Sequence, residues 1–343
     1  MSIWLFRAGK VGEYENKFLE ENRIYLTWEG LDYDLSKLTE QRELYDLLHD
    51  LYPDNKMGRL RNWSGQIWPI AKRIEKDDLI ILPSKFKSSI HIGRVVGDYV
   101  FDASNEDPYK HFRKVEWIKE DIPRSTFDQD LLYSFGAFMT VCKIERNNAE
   151  ERIRAILAGK KIERPKTSLD NDEDASDTGN VEIDLEEVAT DQIAKYLIRK
   201  FKGHGLSVLI EEILKSKGFS TFRSPSGPDK GVDILASSGS LGFGSPKICV
   251  QVKSGDSPVD RPTLDQLIGT MQNFSADQGL LVSWGGFKRS VQQEIANQFF
   301  RVRLWGQKEI IEQLLANYSQ LDDEIKAELP LKRIWALNLS DED

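Results

Sequence analysis

The stretch KICVQVKSG, Lys247 to Gly255, decides how the second half of this chain is read. Its β-branched and apolar residues mark a strand, yet Gln251 and Lys253 interrupt the apolar run. Side chains alternate along an extended chain, so Val250 and Val252 point to one face while Gln251 and Lys253 point to the other. One face packs; the other presents an amide and an ammonium. Two residues apart, these can aim an oxygen and a cation at one point, an arrangement suited to a metal ion and a phosphate.

Working outward, STFRS and GVDILAS precede this strand as further strands. A helix through RPTLDQLIGTMQNF, a strand GLLVSW, a helix through KRSVQQEIANQFF and a strand RVRLW follow it. Upstream, DQIAKYLIRKF and LSVLIEEILKSKGF read as helices, the second stopped by Gly218 in a left-handed cap. The early strands suit a meander and the later alternation suits crossover units, so a mixed sheet with helices on its faces is expected.

Within GPDKGVDILA, Asp233 is a carboxylate among Val232, Ile234 and Leu235, out of place for a core. If its strand pairs with KICVQVKS, Asp233 meets Gln251 and Lys253 on one face. Hard cations such as Mg²⁺ take oxygen ligands and keep several waters, so a carboxylate, an amide oxygen and a backbone carbonyl, that of Val252, suffice. Lys253 then lies close enough to hold or help deprotonate an attacking water and to offset charge on a phosphate. Taken singly, Asp233 also fits a solvated strand edge and Lys253 a lysine that blunts an edge strand. Asp229, in SPSGPDKG, reads as turn chemistry. Lys230, Lys247, Arg261, Lys288 and Arg289 are candidates for a basic rim. His204 reads as a cap or packed residue before a helix.

GPDKGVDILA followed by VQVKS resembles the Mrr-type branch of the PD-(D/E)xK nuclease superfamily, in which Gln often stands for the acidic residue. The resemblance spans about Leu206 to Tyr318 and includes GLLVSWGGF. It implies cleavage of DNA phosphodiesters with Mg²⁺, or Mn²⁺ in its place. Asp233 and Gln251 would be ligands and Lys253 the catalytic lysine. Where such nucleases often carry a glutamate early in the preceding helix, this chain has Ser207, with Glu211 and Glu212 a turn later. Glu211 is the candidate for that role.

The first half is patterned differently. SIWLFR and RIYLTW read as strands, SKLTEQRELYDLLHDLY as a helix, and DDLIILPSK, SIHIGRVVGDYVF and FRKVEWI as short strands of a small curled sheet. NNAEERIRAILAGKK closes this half as a helix. Aromatic residues are dense here, including Trp4, Trp28, Trp63, Trp68, Tyr99 and Trp117, and most suit a core. The strand series, from about Ser2 to Ile144, resembles PUA-like barrels, including EVE-type domains, with Asp77-Asp78 in place of the more usual Gly-Asp turn. That resemblance implies recognition of a flipped, modified base by stacking and edge hydrogen bonds. Trp28, Trp63 and Tyr99 are candidates for stacking, and Ser84, Lys85 and Arg94 for edge or backbone contacts.

At 343 residues the chain exceeds one usual core, since domains run to about 100–200 residues each. The expected fold class is α/β, α+β overall. Its parts are a PUA-like β-barrel with helices over 1–160, an acidic linker over 161–187, a restriction-endonuclease-like α/β domain over 188–320 and a C-terminal extension over 321–343. The linker rests on Asp170, Asp172, Glu173, Asp174 and Asp177, which offer little to bury. A net charge of −9 argues against indiscriminate nucleic-acid binding but leaves room for a local basic site. Two cysteines, Cys142 and Cys249, lack metal-ligand spacing, and no segment has membrane-spanning length. A cytoplasmic protein is expected.

Together the two halves suggest a base-sensing domain tethered to a DNA endonuclease of restriction or phage-defence type, acting on modified cytosine and assembled as a homodimer. Two other readings stand beside it. In one, Gln251 marks weakened metal binding and the protein only grips DNA. In the other, the first half binds a nucleotide messenger or a protein partner.

Overall fold

The computed structural model describes residues 1–137, 139–160, 184–225, 231–239 and 241–335. The chain divides into two compact units, Met1–Val188 and Ala189–Trp335.

The first unit contains β1 (Ile3–Phe6), α1 (Glu15–Glu20), β2 (Arg23–Leu26), α2 (Gln41–Leu51), α3 (Met57–Lys72), β3 (Leu79–Pro83), β4 (Ser89–Phe101), β5 (His111–Pro123), α4 (Gln129–Phe135), β6 (Val141–Lys143) and α5 (Ala149–Leu157). The helix α6 (Leu185–Phe201) begins in it. The six strands form one mixed sheet in the order β2-β5-β4-β3-β1-β6, with β1 parallel to β3 and the other pairs antiparallel. Register shifts at Ile90/Ile92, Ile92/Gly93 and Val95/Tyr99 curl it into a half-barrel. Every residue of IWLF and LIILP is buried, because cores lie on both faces of β1 and β3. Trp4, Phe6, Ile80 and Leu82 enter one core, and Ile3, Leu5, Leu79 and Ile81 enter the other.

The sequence reading passes over α3. Gly58, Gly65 and Pro69 mask it, yet Leu60, Ile67 and Ile70 bury a helical stripe. Asp77 lies at φ 72°, the left-handed region where glycine is at ease, which accounts for the Asp-Asp corner. The buried Asp78 carboxylate accepts from the Ser2 amide at 2.6 Å, the Trp4 indole at 3.0 Å and the Glu75 amide at 3.1 Å.

The expected linker changes at its end. Residues 161–183, with their acidic run, lie outside the described residues, but Glu187 is fixed in α6. Its carboxylate pairs with Arg7 at 3.2 Å and Arg124 at 2.7 Å, both arginines buried. Burial alone raises the Glu187 pKa, but the charges of Arg124, Arg7 and Lys85 outweigh it and hold the group below its ordinary value.

The second unit continues with α7 (His204–Ser216), β7 (Ser220–Arg223), β8 (Ile234–Ser238), β9 (Gly244–Lys253), α8 (Arg261–Asn273), β10 (Gln278–Ser283), α9 (Arg289–Glu294), β11 (Val302–Trp305), α10 (Gln307–Asn317) and α11 (Asp323–Glu328). Its sheet runs β11-β10-β9-β8-β7, antiparallel from β7 to β9 and parallel from β9 to β11, the mixed sheet the element order implies. Gly218 takes φ 87° after α7, as the helix stop requires. Val250 and Val252 face a core shared with α6, α7 and α10, while Cys249 and Leu281 face α8. Leu321, Ile325 and Leu329 are buried in the first of these cores, so the unit extends past the expected boundary at 320. Residues 336–343 lie outside the described residues.

Candidate active site

The polar side of β9 is built by strand register. Ile234 pairs with Val250, which places Asp233 opposite Gln251 just before β8 begins. On the other flank Leu281 pairs with Gln251 and Ser283 with Lys253. Alternation therefore puts Asp233, Gln251, Lys253 and Ser283 on one face, the face away from Val250 and Val252. Asp233 is not inside the strand, as the sequence reading had it. Its carboxylate accepts the Val252 N–H at 2.8 Å, an amide that a longer β8 would have engaged through its backbone. Its own amide donates to the Val250 carbonyl, and its carbonyl accepts from Ser224, each at 2.9 Å.

Gln251 is 2% exposed, and its Oε1 has no hydrogen-bond partner among the described residues. A buried amide oxygen left this way costs about 1–3 kcal/mol, so its retention calls for a missing partner. Ser283, fully buried, has a hydroxyl in the same condition. Lys253 is exposed at the strand end and makes no ion pair among the described residues. The Asp233 carboxylate, the Gln251 amide oxygen and the Val252 carbonyl are all oxygen donors, so the donor set fits a hard cation such as Mg²⁺. It is poor in charge: among the described residues no group of three His, Cys, Asp or Glu side chains could hold a metal.

The SWGGF turn fixes the ends of β9 and β10. Trp284 donates its amide to the Lys253 carbonyl at 2.8 Å, and Val259 bridges Phe287. Gly285 is required by close approach, since a Cβ there would lie 2.6 Å from the Asp256 carbonyl carbon.

Glu211 is buried in α7 but turned to β7. It accepts from Thr221 Oγ1 at 2.9 Å and Arg223 Nε at 2.8 Å, and Lys215 lies 3.5 Å away. Thr221 and Arg223 pair with Ala236 and Ile234, residues of the face opposite Asp233. Burial raises the Glu211 pKa, but these hydrogen bonds and charges lower it overall. The structure thus gives Glu211 the part of a clamp between α7 and β7 rather than joining it to Asp233 and Gln251. His204, exposed at the start of α7, lies 2.5 Å from Arg223 Nη1. Of the expected rim, Arg261 is paired with Glu294 at 2.9 Å and with Asp265 at 3.6 Å. Asp229 and Lys230 lie outside the described residues.

Of the six residues proposed for base contact in the first unit, Trp28 and Trp63 meet, and the other four are held by partners of their own. Trp28 and Trp63 meet edge to face at 6.4 Å, and Tyr52 meets Trp63 at 5.3 Å, all three half-buried. Tyr99 is committed elsewhere: its hydroxyl accepts from the Leu35 amide at 3.2 Å and donates to His111 Nδ1 at 2.8 Å. His111 Nε2 then donates to the Leu31 carbonyl at 2.7 Å. Ser84 is a buried loop knot, donating to Glu15 at 2.7 Å and accepting from the Phe86 and Lys87 amides. Lys85 pairs with Glu187 at 3.4 Å and Asp184 at 3.6 Å, and Arg94 with Glu116 at 2.6 Å. Short polar side chains satisfying a folded loop look the same in sequence as ligand contacts, and Ser84, Lys85 and Arg94 are engaged in internal contacts of this kind.

Sequence reasoning also missed Ser283 and the Thr221–Arg223 clamp. The signal for Ser283 was present, a hydroxyl closing the apolar run GLLVS, but its neighbour depended on the parallel register with β9.

Residues 198–314 match the family model Mrr_cat, described as restriction endonuclease. Residues 4–140 match a domain of unknown function, DUF8426. No curated protein matches the chain. Among solved structures, the chain is similar to the MspJI restriction endonuclease in complex with a 27-mer oligonucleotide, at 14% identity over 90% of this chain and 73% of that one, with a TM-score of 0.32. It is similar also to the DNA modification-dependent restriction endonuclease AspBHI, at 13% identity over 84% and 73%, with a TM-score of 0.34.

Proposed function

We propose that this chain, whose C-terminal part carries a restriction-endonuclease domain of the Mrr type, is a Mg²⁺-dependent DNA endonuclease that its first unit directs to modified DNA. The observation that carries the metal-dependent reading is the buried Gln251 Oε1, without a partner among the described residues, on the same face as Asp233 and Lys253. Asp233, Gln251 and the Val252 carbonyl would hold the ion. When bound, the ion supplies Lewis acidity and a more acidic water. Asp233 keeps the ladder end in place by accepting the Val252 amide while its remaining oxygen lone pairs serve as donors. Lys253, on a fixed strand end, brings an ammonium to the substrate phosphate, offsets charge that builds on its oxygens, and is placed to orient the attacking water. Glu211 keeps α7 against β7 and so supports β8 from behind.

For the first unit, the half-buried trio Trp28, Tyr52 and Trp63 is the feature that suits base stacking, and it supports a PUA-like role in sensing a modified cytosine. Cutting both strands calls for two such sites, hence a homodimer. A DNA-defence enzyme of this kind would work in the cytoplasm, and among the described residues no helix is long and apolar enough to cross a membrane.

The test is incubation of the purified protein with Mg²⁺ and matched DNAs, unmodified or carrying modified cytosine, beside Asp233→Ala, Lys253→Ala and Trp63→Ala proteins. Cleavage of modified DNA only, lost in the first two variants and made indiscriminate or lost in the third, is the expected result. Cleavage of every DNA keeps the chemistry and removes the sensing role. Binding without cleavage at any Mg²⁺ concentration turns the protein into a DNA-gripping module.

A further inference from the structure

The second unit holds a hollow of about 250 Å³ away from the candidate active site. Its floor includes Ile248 and Leu280. By alternation these share the face of Val250, opposite Gln251, with Ile248 at the middle of β9 and Leu280 in the first half of β10, short of the strand ends that carry Lys253 and Ser283. Five residues of strand separate Ile248 from Lys253, roughly 17 Å at about 3.3 Å per residue. The hollow is therefore separate from the Asp233–Gln251 face in both side and end.

Its walls combine two chemistries. Phe219, Phe300 and Trp305 supply aromatic surface, and Phe300 is 86% exposed. Lys217, Arg301 and Arg303 stand at the same rim. In a chain of net charge −9, none of these three cations makes an ion pair among the described residues, and no carboxylate lines the hollow. Arg303 is positioned by its own neighbours, donating to the Phe299 and Val302 carbonyls and lying 4.4 Å over the Phe299 ring. Arg301 is exposed, with nothing among the described residues to neutralise it.

An exposed Phe300 and the half-buried Phe219 and Trp305, beside unneutralised cations, match a flat ring that carries negative charge. Pockets for drug-sized ligands run to roughly 300–1,000 Å³, so a hollow below that range selects a single ring system, with charge left outside at the rim. We infer that this hollow is a nucleotide site: a base stacks on Phe300 and Trp305 while Lys217 and Arg301 receive its phosphate. An apolar partner peptide would leave three cations unpaired, and a bare anion would leave the aromatic walls unused. A free nucleotide and a nucleotide at the end of a strand share this chemistry.

The experiment is calorimetric titration of full-length Asp233→Ala protein in EDTA, which keeps the candidate active site out of the measurement. The probes are adenosine 5′-triphosphate, tripolyphosphate and a single-stranded eight-nucleotide DNA. Saturable binding of the nucleotide is expected, weakened about tenfold or more by Phe300→Ala and by Arg301→Glu and retained in Phe300→Trp, since stacking on one side chain is worth about that factor. Both positions are on the surface, and unchanged thermal unfolding of each variant confirms that the fold is kept. Tighter binding of the oligonucleotide with the same variant pattern identifies a strand as the source, whereas tighter binding of the free nucleotide identifies a small ligand. Tripolyphosphate binding as tightly as the nucleotide, or affinities indifferent to Phe300→Ala and Arg301→Glu, overturns the inference. Loss of DNA cleavage in Asp233→Ala protein tests the nuclease reading separately.

Discussion

Replacing Gln251 by Glu tests whether its buried oxygen faces a cation. The side chain is 2% exposed and its Oε1 has no partner among the described residues, so a carboxylate there is desolvated and unpaired in the metal-free protein. Such a group protonates rather than stay charged, which caps the penalty. Each pKa unit is worth about 1.36 kcal/mol, and roughly 2.7 units separate an ordinary Glu near 4.3 from neutral pH, so the ceiling is about 3.7 kcal/mol at pH 7. At roughly 2–4 °C per kcal/mol for a unit of this size, the Gln251→Glu protein should melt up to about 7–15 °C below the parent at pH 7 in EDTA. Near pH 4.5 the gap should narrow to about 0.6 kcal/mol, because close to half of the unfolded carboxyls are then already neutral and only the remaining charge opposes burial. Added Mg²⁺ should restore the variant at pH 7 more than it stabilises the parent, since the new charge strengthens the oxygen donor set. Scanning calorimetry at pH 4.5, 7 and 8, with Mg²⁺ and with EDTA, measures all of this. A gap that does not vary with pH would refute the sealed environment, and equal stabilisation of both proteins by Mg²⁺ would refute the placing of Gln251 beside the ion.

Glu187→Ala leaves Arg7 and Arg124 buried without their carboxylate and should destabilise the first unit by about 3–5 kcal/mol, read as a shift of the urea midpoint. Ser283→Ala removes a buried hydroxyl that has no partner among the described residues, so thermal stability should hold or rise slightly, read by scanning calorimetry. Burial lowers the His111 pKa from its ordinary 6.5, so the unfolded chain binds the proton first and the first unit should lose stability as pH falls below about 6.5. His111→Gln should flatten that window. Glu211 has a depressed folded pKa, so its contribution is complete above the ordinary 4.5 and is lost as pH falls through the folded value, a fall that calorimetry of Thr221→Val protein should show to be smaller.

The second unit was legible because its physics is local. KICVQVKSG alternates, Gly218 stops a helix, and three strands followed by two crossovers admit few sheets. That reading gave a mixed sheet and the shared face of Gln251 and Lys253, while the strand order came from the structure. The first unit was read less well. Its strands came from alternation, but α3 hid behind two glycines and a proline whose cost is met by tertiary burial of Leu60, Ile67 and Ile70.

What sequence determined by itself is the set of side chains that can do chemistry at β9 and the face they share, since alternation is a property of any extended chain. Only the tertiary structure decided which neighbours each polar group meets. It spent Asp78, Ser84, Tyr99 and Glu211 on internal hydrogen bonds, drew Glu187 into a buried pair of arginines, and left Gln251 Oε1 and Ser283 Oγ without partners among the described residues. The reason is that a hydrogen bond between residues far apart in the chain depends on register and packing, and neither is written in the spacing of the residues that make it.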